Sequence, residues 1–259
     1  MSETIWRLSV FIGALLVMVL WEFLAPKRKP RYSRKQRWPA NLAIVAVDTV
    51  LLRIIAPVGL TGIALWASEQ EWGLFHYLSS TAGNELPFWF VVLLSLVALD
   101  IVLYWQHRLF HRIPVLWRMH RVHHADPDFD VTTGLRFHPA EIVLSFFIKA
   151  AAILVLGAPA LAVIVFEINH GNVALPTPLE RAARKVLITQ ELHRIHHSVE
   201  KEETNSNYGF SVSWWDHLFG SFTSKPKAGS DQVDIGLKEY RDASITTKLW
   251  GLLKIPFRN

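Results

Sequence analysis

The sequence predicts an all-α, multi-pass membrane protein with a histidine-rich helical cap on its cytoplasmic face. Three observations carry this prediction. Apolar residues make up 51% of the 259 and fall in long blocks, and roughly 20 such residues suffice for a helix to cross a bilayer. Charge is segregated: KRKPRYSRKQR, at 27–37, has seven positive residues and no acid. Twelve histidines are present, and eight of them fall in three short runs.

In chain order, WRLSVFIGALLVMVLWEFL (6–24) reads as a retained anchor helix. Its start carries Glu3 and a single arginine, and no small-residue cleavage site follows, so it does not look like a removed secretory signal. The basic run comes next and, by the positive-inside rule, marks the cytoplasmic side. Beside two apolar helices it suits anionic lipid and not nucleic acid. NLAIVAVDTVLLRIIAPVGLTGIALWA (41–67) is interrupted by Asp48, Arg53 and Pro57. Its clean part is 54–67, with Arg53 placed to snorkel toward an interface. From Ile54 to Gln106 there is no Lys or Arg, but Glu69, Glu71 and Glu85 are present, which places the 68–87 connection on the opposite side.

FWFVVLLSLVALDIVLYW (88–105) then crosses back and delivers His107 to the cytoplasmic face. Residues 107–139 are polar, basic and rich in histidine. The next apolar block, IVLSFFIKAAAILVLGAPALAVIVFEI (142–168), is broken by Gly157 and Pro159. It is expected to be a hairpin with arms of about 13 residues, each roughly 20 Å long. A single crossing would separate the histidine runs by a bilayer, about 30 Å. A polar portion, 171–259, completes the chain. Anchor helices are expected over 1–67.

The runs are His107 and His111; His120, His123 and His124; His193, His196 and His197. The spacings i, i+4 and i, i+3, i+4 put each set on one helical face. Eight converging imidazoles exceed what one ion accepts, so two ions are the natural count. With no cysteine, disulfides and thiolate ligands are both excluded. A zinc hydrolase of the H-E-x-x-H type needs a glutamate after its first histidine. Arg108, Arg121 and Arg194 hold the corresponding positions. Imidazole-bound iron at a membrane face suits dioxygen activation and oxidation of a lipid C–H bond.

DIVLYWQHRLFH, LWRMHRVHHADPDFDVTTGLRFHPAE, INHGNVALP, TQELHRIHHS and NSNYGFSVSWWDHLFGSF occur in this order between about Phe88 and Phe222. At these motifs the chain resembles the fatty acid hydroxylase / sterol desaturase superfamily of integral-membrane, non-heme diiron enzymes, and the resemblance implies a diiron domain over 88–222 followed by a C-terminal tail over 223–259. The resemblance implies metal ligation by His107, His111, His120, His123, His124, His193, His196 and His197. His170 matches an additional family histidine and is expected as a ninth ligand. His138 also matches the pattern, as a ligand or an outer partner. His76 and His217 read as packing residues.

Metal-bound imidazoles usually donate their other N–H to a carboxylate or carbonyl. Asp100, Tyr104, His107 and His111 share one helical face, so Asp100 and Tyr104 are expected behind the ligands, with Glu141 a further candidate. Asp126, Glu191 and Asp216 are weaker ones. The expected activity is that of a non-heme diiron oxidoreductase using two irons and O2 to hydroxylate, or desaturate, a membrane lipid. With no G-x-G-x-x-G and no cysteine for an iron–sulfur cluster, electrons are expected from a ferredoxin or cytochrome b5-like donor and its reductase. The expected location is a bacterial inner membrane, with the site facing the cytoplasm. The rival class is a non-catalytic membrane metal-binding or scaffold protein that keeps the histidines for stability. Iron content together with O2 consumption separates the two.

The topology is testable on this cysteine-free background. Single cysteines near Arg112 and Lys201 should label from the same side as one at Lys29. Labelling from opposite sides would break the shared site.

Overall fold

The structure, a computed structural model, describes residues 13, 16–26, 30–168, 177–229 and 232–258; the side chains of 165–168 and 177 also lie outside the description. Among the described residues the regular elements are all helical. There is no strand, only two isolated β-bridges, Leu187 with Val212 and Ser198 with Ile235. Residues 16–24 are helical, while most of the earlier part of the first apolar block lies outside the description. Among the described residues, three runs are long and apolar enough to cross a membrane: Arg34–Ala82, Phe88–Arg112 and Pro139–Leu156.

The first run contains α1 (Arg34–Ile55), α2 (Gly59–Glu69) and α3 (Leu74–Ala82). Helix α1 serves two environments. Its buried residues Arg37, Asn41, Ile44 and Asp48 recur at helical spacing on one face. Ala40 and Ile44 share a core with Val122, Ala125, Leu237, Tyr240, Leu252 and Ile255. Further along, Val50 and Ile54 are exposed apolar side chains suited to lipid. The N-terminal half of α1 thus belongs to a polar cap, and its C-terminal half to an apolar bundle.

The bundle joins α2 to α4 (Phe88–Arg112), α6 (Pro139–Leu156) and α7 (Ala160–Ile168). Its core is Leu60, Ala64, Leu99, Leu103, Phe146, Ala150, Ile153, Ala158 and Val163. Helix α6 ends at Gly157, which adopts the left-handed conformation (φ 67°) and donates its N–H to Ile153 O at 2.9 Å. Helices α6 and α7 both pack on α2 and α4. The turn falls at the expected break, and the first arm is longer than expected. Helix α6 starts at Pro139 and has 18 residues, about 27 Å at ~1.5 Å per residue, while α7 is described over 9, Ala160–Ile168. The longer first arm arises because a proline suits the first position of a helix, so α6 extends into the cap.

Helix α5 (Pro114–His124) follows α4 without a linker. Ile113 is the C-cap of α4 and the N-cap of α5. Proline at 114 forces the preceding residue out of helical geometry and starts the next helix without needing an N–H. The corner folds α5 back on α4. Short helices α8 (Thr177–Ala183), α9 (Gln190–His196), α10 (Lys201–Thr204) and α11 (Trp214–Leu218) complete the central cap. The expected C-terminal tail is a packed segment. Its helices α12 (Ala243–Thr246) and α13 (Leu249–Lys254) lead to Ile255, whose carbonyl accepts from Arg121 Nη2 at 2.6 Å.

A Cβ on Gly157 would lie 2.5 Å from Trp72 O, in addition to the left-handed backbone cost. Gly83 has the same φ, +67°, with nothing within 4 Å of its would-be Cβ. Gly83→Ala should therefore cost about 1 kcal/mol from the backbone alone, and Gly157→Ala clearly more. Thermal unfolding in detergent checks the order; equal losses would remove the close approach as a constraint.

Candidate metal centre

Three chain segments bring the histidines together. The last turns of α4 supply His107 and His111, the end of α5 supplies His120, His123 and His124, and α9 with its C-cap supplies His193, His196 and His197. Helix α9 is started by Thr189, whose hydroxyl accepts from Leu192 N and donates to Glu180 at 2.8 Å. The imidazoles divide into two adjoining groups. His107, His111, His120, His124 and His196 form one, His123, His193 and His197 the other. Within each group the available nitrogens lie within 4.8 Å of one another. The groups meet where the His124 and His197 rings stack at 4.4 Å.

The hydrogen bonds around the rings settle which nitrogen faces inward. His107 Nδ1 lies 2.8 Å from Tyr208 O, His123 Nδ1 3.0 Å from Thr133 O, and His196 Nδ1 2.7 Å from Ser206 O. A carbonyl can only accept, so each Nδ1 carries the proton and each Nε2 keeps its lone pair. His120 Nδ1 is 2.7 Å from Glu141 Oε1, which imposes the same tautomer. Nε2 of His107, His111, His120 and His196, both nitrogens of His124, and Nδ1 of His197 are buried without a hydrogen-bond partner. Each such atom costs roughly 1–3 kcal/mol unless something satisfies it. Converging lone pairs need a cation, and this donor set fits nitrogen-bound metal ions.

Burial first, and then the neighbouring imidazoles, push His123, His124, His196 and His197 well below the ordinary histidine pKa. They are therefore neutral at pH 7, as ligation requires.

Of the residues expected behind the ligands, Glu141 lies against His120. Asp100 does not reach a histidine. Its carboxylate accepts from Ser211 N at 2.9 Å and Trp215 Nε1 at 2.8 Å, tying the cap to α4. Sharing a helical face with His107 placed it one turn too far back. Tyr104 likewise bonds Ser221 Oγ and Arg108 Nη1, both at 2.8 Å. His138 lies outside both groups: its Nδ1 caps α6 by accepting from Ala140 N at 3.2 Å. His170 lies outside the described residues. Glu191 pairs with Arg194 at 2.6 Å. His217 stacks on Phe222 at 3.8 Å.

Asp216 acts at one remove. It accepts from the backbone N–H groups of Tyr208 and Gly209, both at 2.8 Å, and so holds the loop whose carbonyl meets His107. This gives NYG and WWD a shared role. Sequence reasoning missed Thr133, Ser206 and Tyr208, because they contribute backbone carbonyls that every residue has. It also missed Arg37, although the regular spacing of Arg37, Asn41, Ile44 and Asp48 was a readable signal.

Two outcomes follow. Glu141→Ala should lower metal affinity about 10- to 100-fold by freeing His120; chelator competition measures this, and an unchanged affinity would exclude the role. Histidines buried neutral bind fewer protons than they do unfolded, so acid favours unfolding. The melting temperature of metal-free protein should fall as pH drops below the ordinary histidine value of about 6.5; a flat profile down to pH ~5 would contradict it.

Residues 92–221 match the family "Fatty acid hydroxylase". The ornithine lipid hydroxylase OlsE of Rhizobium tropici is 29% identical over 242 residues, covering 90% of this chain and 71% of that protein. The alkylglycerol monooxygenase of Danio rerio is 28% identical over 204 residues, 76% of this chain and 43% of that one. A Delta(7)-sterol 5(6)-desaturase of Aspergillus fumigatus is 23% identical over 234 residues, 85% and 64% of the two chains. The chain therefore spans less than half the length of the alkylglycerol monooxygenase. No solved structure matches it. With the match covering half of the sequence, and with its histidine motifs gathered into one buried site, the chain belongs to the fatty acid hydroxylase family.

Proposed function

We propose that the protein is an O2-dependent, non-heme diiron enzyme that oxidises a C–H bond of a membrane lipid, with hydroxylation as its reaction. The observation that carries this reading is the pair of adjoining imidazole groups, in which Nε2 of His107, His111, His120 and His196, both nitrogens of His124 and Nδ1 of His197 are buried and unpartnered. His107, His111, His120, His124 and His196 would hold one iron and His123, His193 and His197 the other, with His170 a ninth ligand by the family resemblance. The iron pair would supply dioxygen activation and the oxidising power for C–H cleavage. Overall, one oxygen atom enters the lipid, the other leaves as water, and two electrons and two protons are consumed.

The chain's own part is positioning and shielding. Tyr208 O, Thr133 O, Ser206 O and Glu141 fix four ligand rings, and burial keeps bulk water from the centre. The apolar bundle joined to the cap through α4 and α6 would let a lipid approach from the bilayer. Electrons would come from a ferredoxin or cytochrome b5-like protein with its reductase, because the chain has no cysteine for an iron–sulfur cluster. The described part of the basic run, 30–37, reaches the cap through Arg37, which supports a shared side for cap and run. The positive-inside rule assigns that side to the cytoplasm, here of a bacterial inner membrane. The names of the relatives, which act on an ornithine lipid, an alkylglycerol or a sterol, support a lipid substrate.

Purified protein should contain about two irons per chain, and His123→Ala or His196→Ala should remove metal and turnover together. Full iron in both variants would overturn the ligand assignment. Cells producing the protein under oxygen-18 gas should accumulate a membrane lipid carrying one labelled oxygen that cells producing His196→Ala lack. Iron-replete protein that consumes no O2 and leaves every lipid unlabelled would instead be a metal-binding scaffold.

A further inference from the structure

A buried charged cluster of the cap is built around Arg37, a residue of α1 that lies outside the family match at 92–221. The Arg37 guanidinium binds Asp126 through two parallel bonds, Nε to Oδ1 at 2.8 Å and Nη2 to Oδ2 at 2.9 Å. Its remaining nitrogen, Nη1, donates to Asp130 Oδ2 at 2.7 Å. Planar, bidentate pairing of this kind fixes geometry as well as charge, which lysine cannot reproduce. Arg37 is 1% exposed and Asp126 is fully buried, so water does not compete for these bonds.

What the arginine holds is a loop that ends on a ligand. Thr133 Oγ1 donates to Asp126 Oδ2 at 2.9 Å and accepts from Asp130 N at 3.1 Å. The Thr133 carbonyl then accepts from His123 Nδ1 at 3.0 Å. On the same loop, Phe137 stacks on the His123 ring at 4.5 Å, with 11° between planes. The path from Arg37 to His123 is therefore continuous: guanidinium, Asp126 carboxylate, Thr133 hydroxyl, Thr133 carbonyl, imidazole.

We infer that Arg37 is a positioning residue of the metal centre, acting through Asp126 and Thr133 to orient His123. The inference rests on the metal-binding reading of the histidines and extends it to a helix that the family match does not cover. It is also selective. His123 belongs to the three-histidine group, while His107, His120 and His196 of the other group are held by Tyr208, Glu141 and Ser206, which this path does not include. Losing the path should loosen one metal position and spare the other.

The test is an anaerobic Fe(II) titration of the full-length protein in detergent, followed by EPR of the oxidised form. The wild type should bind two irons that couple magnetically. In Arg37→Met, and also in Arg37→Lys, the weaker iron should lose about 10- to 100-fold in affinity, as expected for an outer partner of a ligand. A signal from uncoupled ferric iron should appear. If Arg37→Met fails to fold, Thr133→Val decides, because it removes the hydroxyl link and keeps the carbonyl; Thr133→Ser should restore both affinity and coupling. A purely structural role would lower the melting temperature of Thr133→Val while leaving two tight, coupled irons, and that result overturns the inference. Wild-type protein that binds two irons but oxidises no lipid would defeat the proposed activity and leave the positioning role supported, provided the variants behave as stated.

Discussion

Inward-facing imidazole lone pairs, buried away from water, are the constraint on which the rest of the structure depends. A nitrogen can present a lone pair only if the other nitrogen of its ring holds the proton, and a buried N–H must itself be satisfied. That requirement spreads outward from the centre. It recruits the carbonyls of Tyr208, Thr133 and Ser206 and the carboxylate of Glu141. Those groups in turn need fixed loops, and the loops need Asp216 and Arg37. Much of this buried polarity of the cap supports the rings of His107, His120, His123 and His196.

The same constraint explains how the helices are cut. Helices α1, α4 and α6 each begin or end in the cap and continue into the apolar bundle, so each has two chemical characters along its length. Helix α4 is exposed and apolar at Phe88, Trp89 and Leu93, yet buries Asp100 and presents its histidines at the other end. Asp100 joins the two layers, since its carboxylate receives Ser211 N and Trp215 Nε1 from the cap. A buried carboxylate with two donors costs far less than a bare one at membrane depth. The acid that looked like a ligand's partner instead docks the cap onto its helix.

The hairpin of α6 and α7 serves the centre from a distance. The chain leaves the site after α5 and must return to it by α9, so whatever enters the bundle between them has to come back. Gly157 allows this because its left-handed backbone ends α6 and because Trp72 O would stand 2.5 Å from any Cβ there. Two glycines, Gly73 and Gly157, meet at the turn, where no larger residue fits.

Sequence alone determined the helical, membrane-embedded class, the three histidine runs and the place of the turn. Each is a local property: apolar run length, i, i+3, i+4 spacing, and the backbone habits of Gly157 and Pro159 can be read without knowing what lies opposite. Tertiary structure decided how the eight rings divide five and three, and which groups hold His107, His120, His123 and His196. It set Asp100 and Tyr104 apart from the ligands and placed His138 at a helix cap. It also brought Arg37 to within 2.8 Å of Asp126 across 89 residues of chain. These depend on contacts between segments distant in sequence and on backbone carbonyls, which carry no residue identity. Residue types and periods reveal where a side chain points along its own helix; only the packing of one helix against another settles what it meets there.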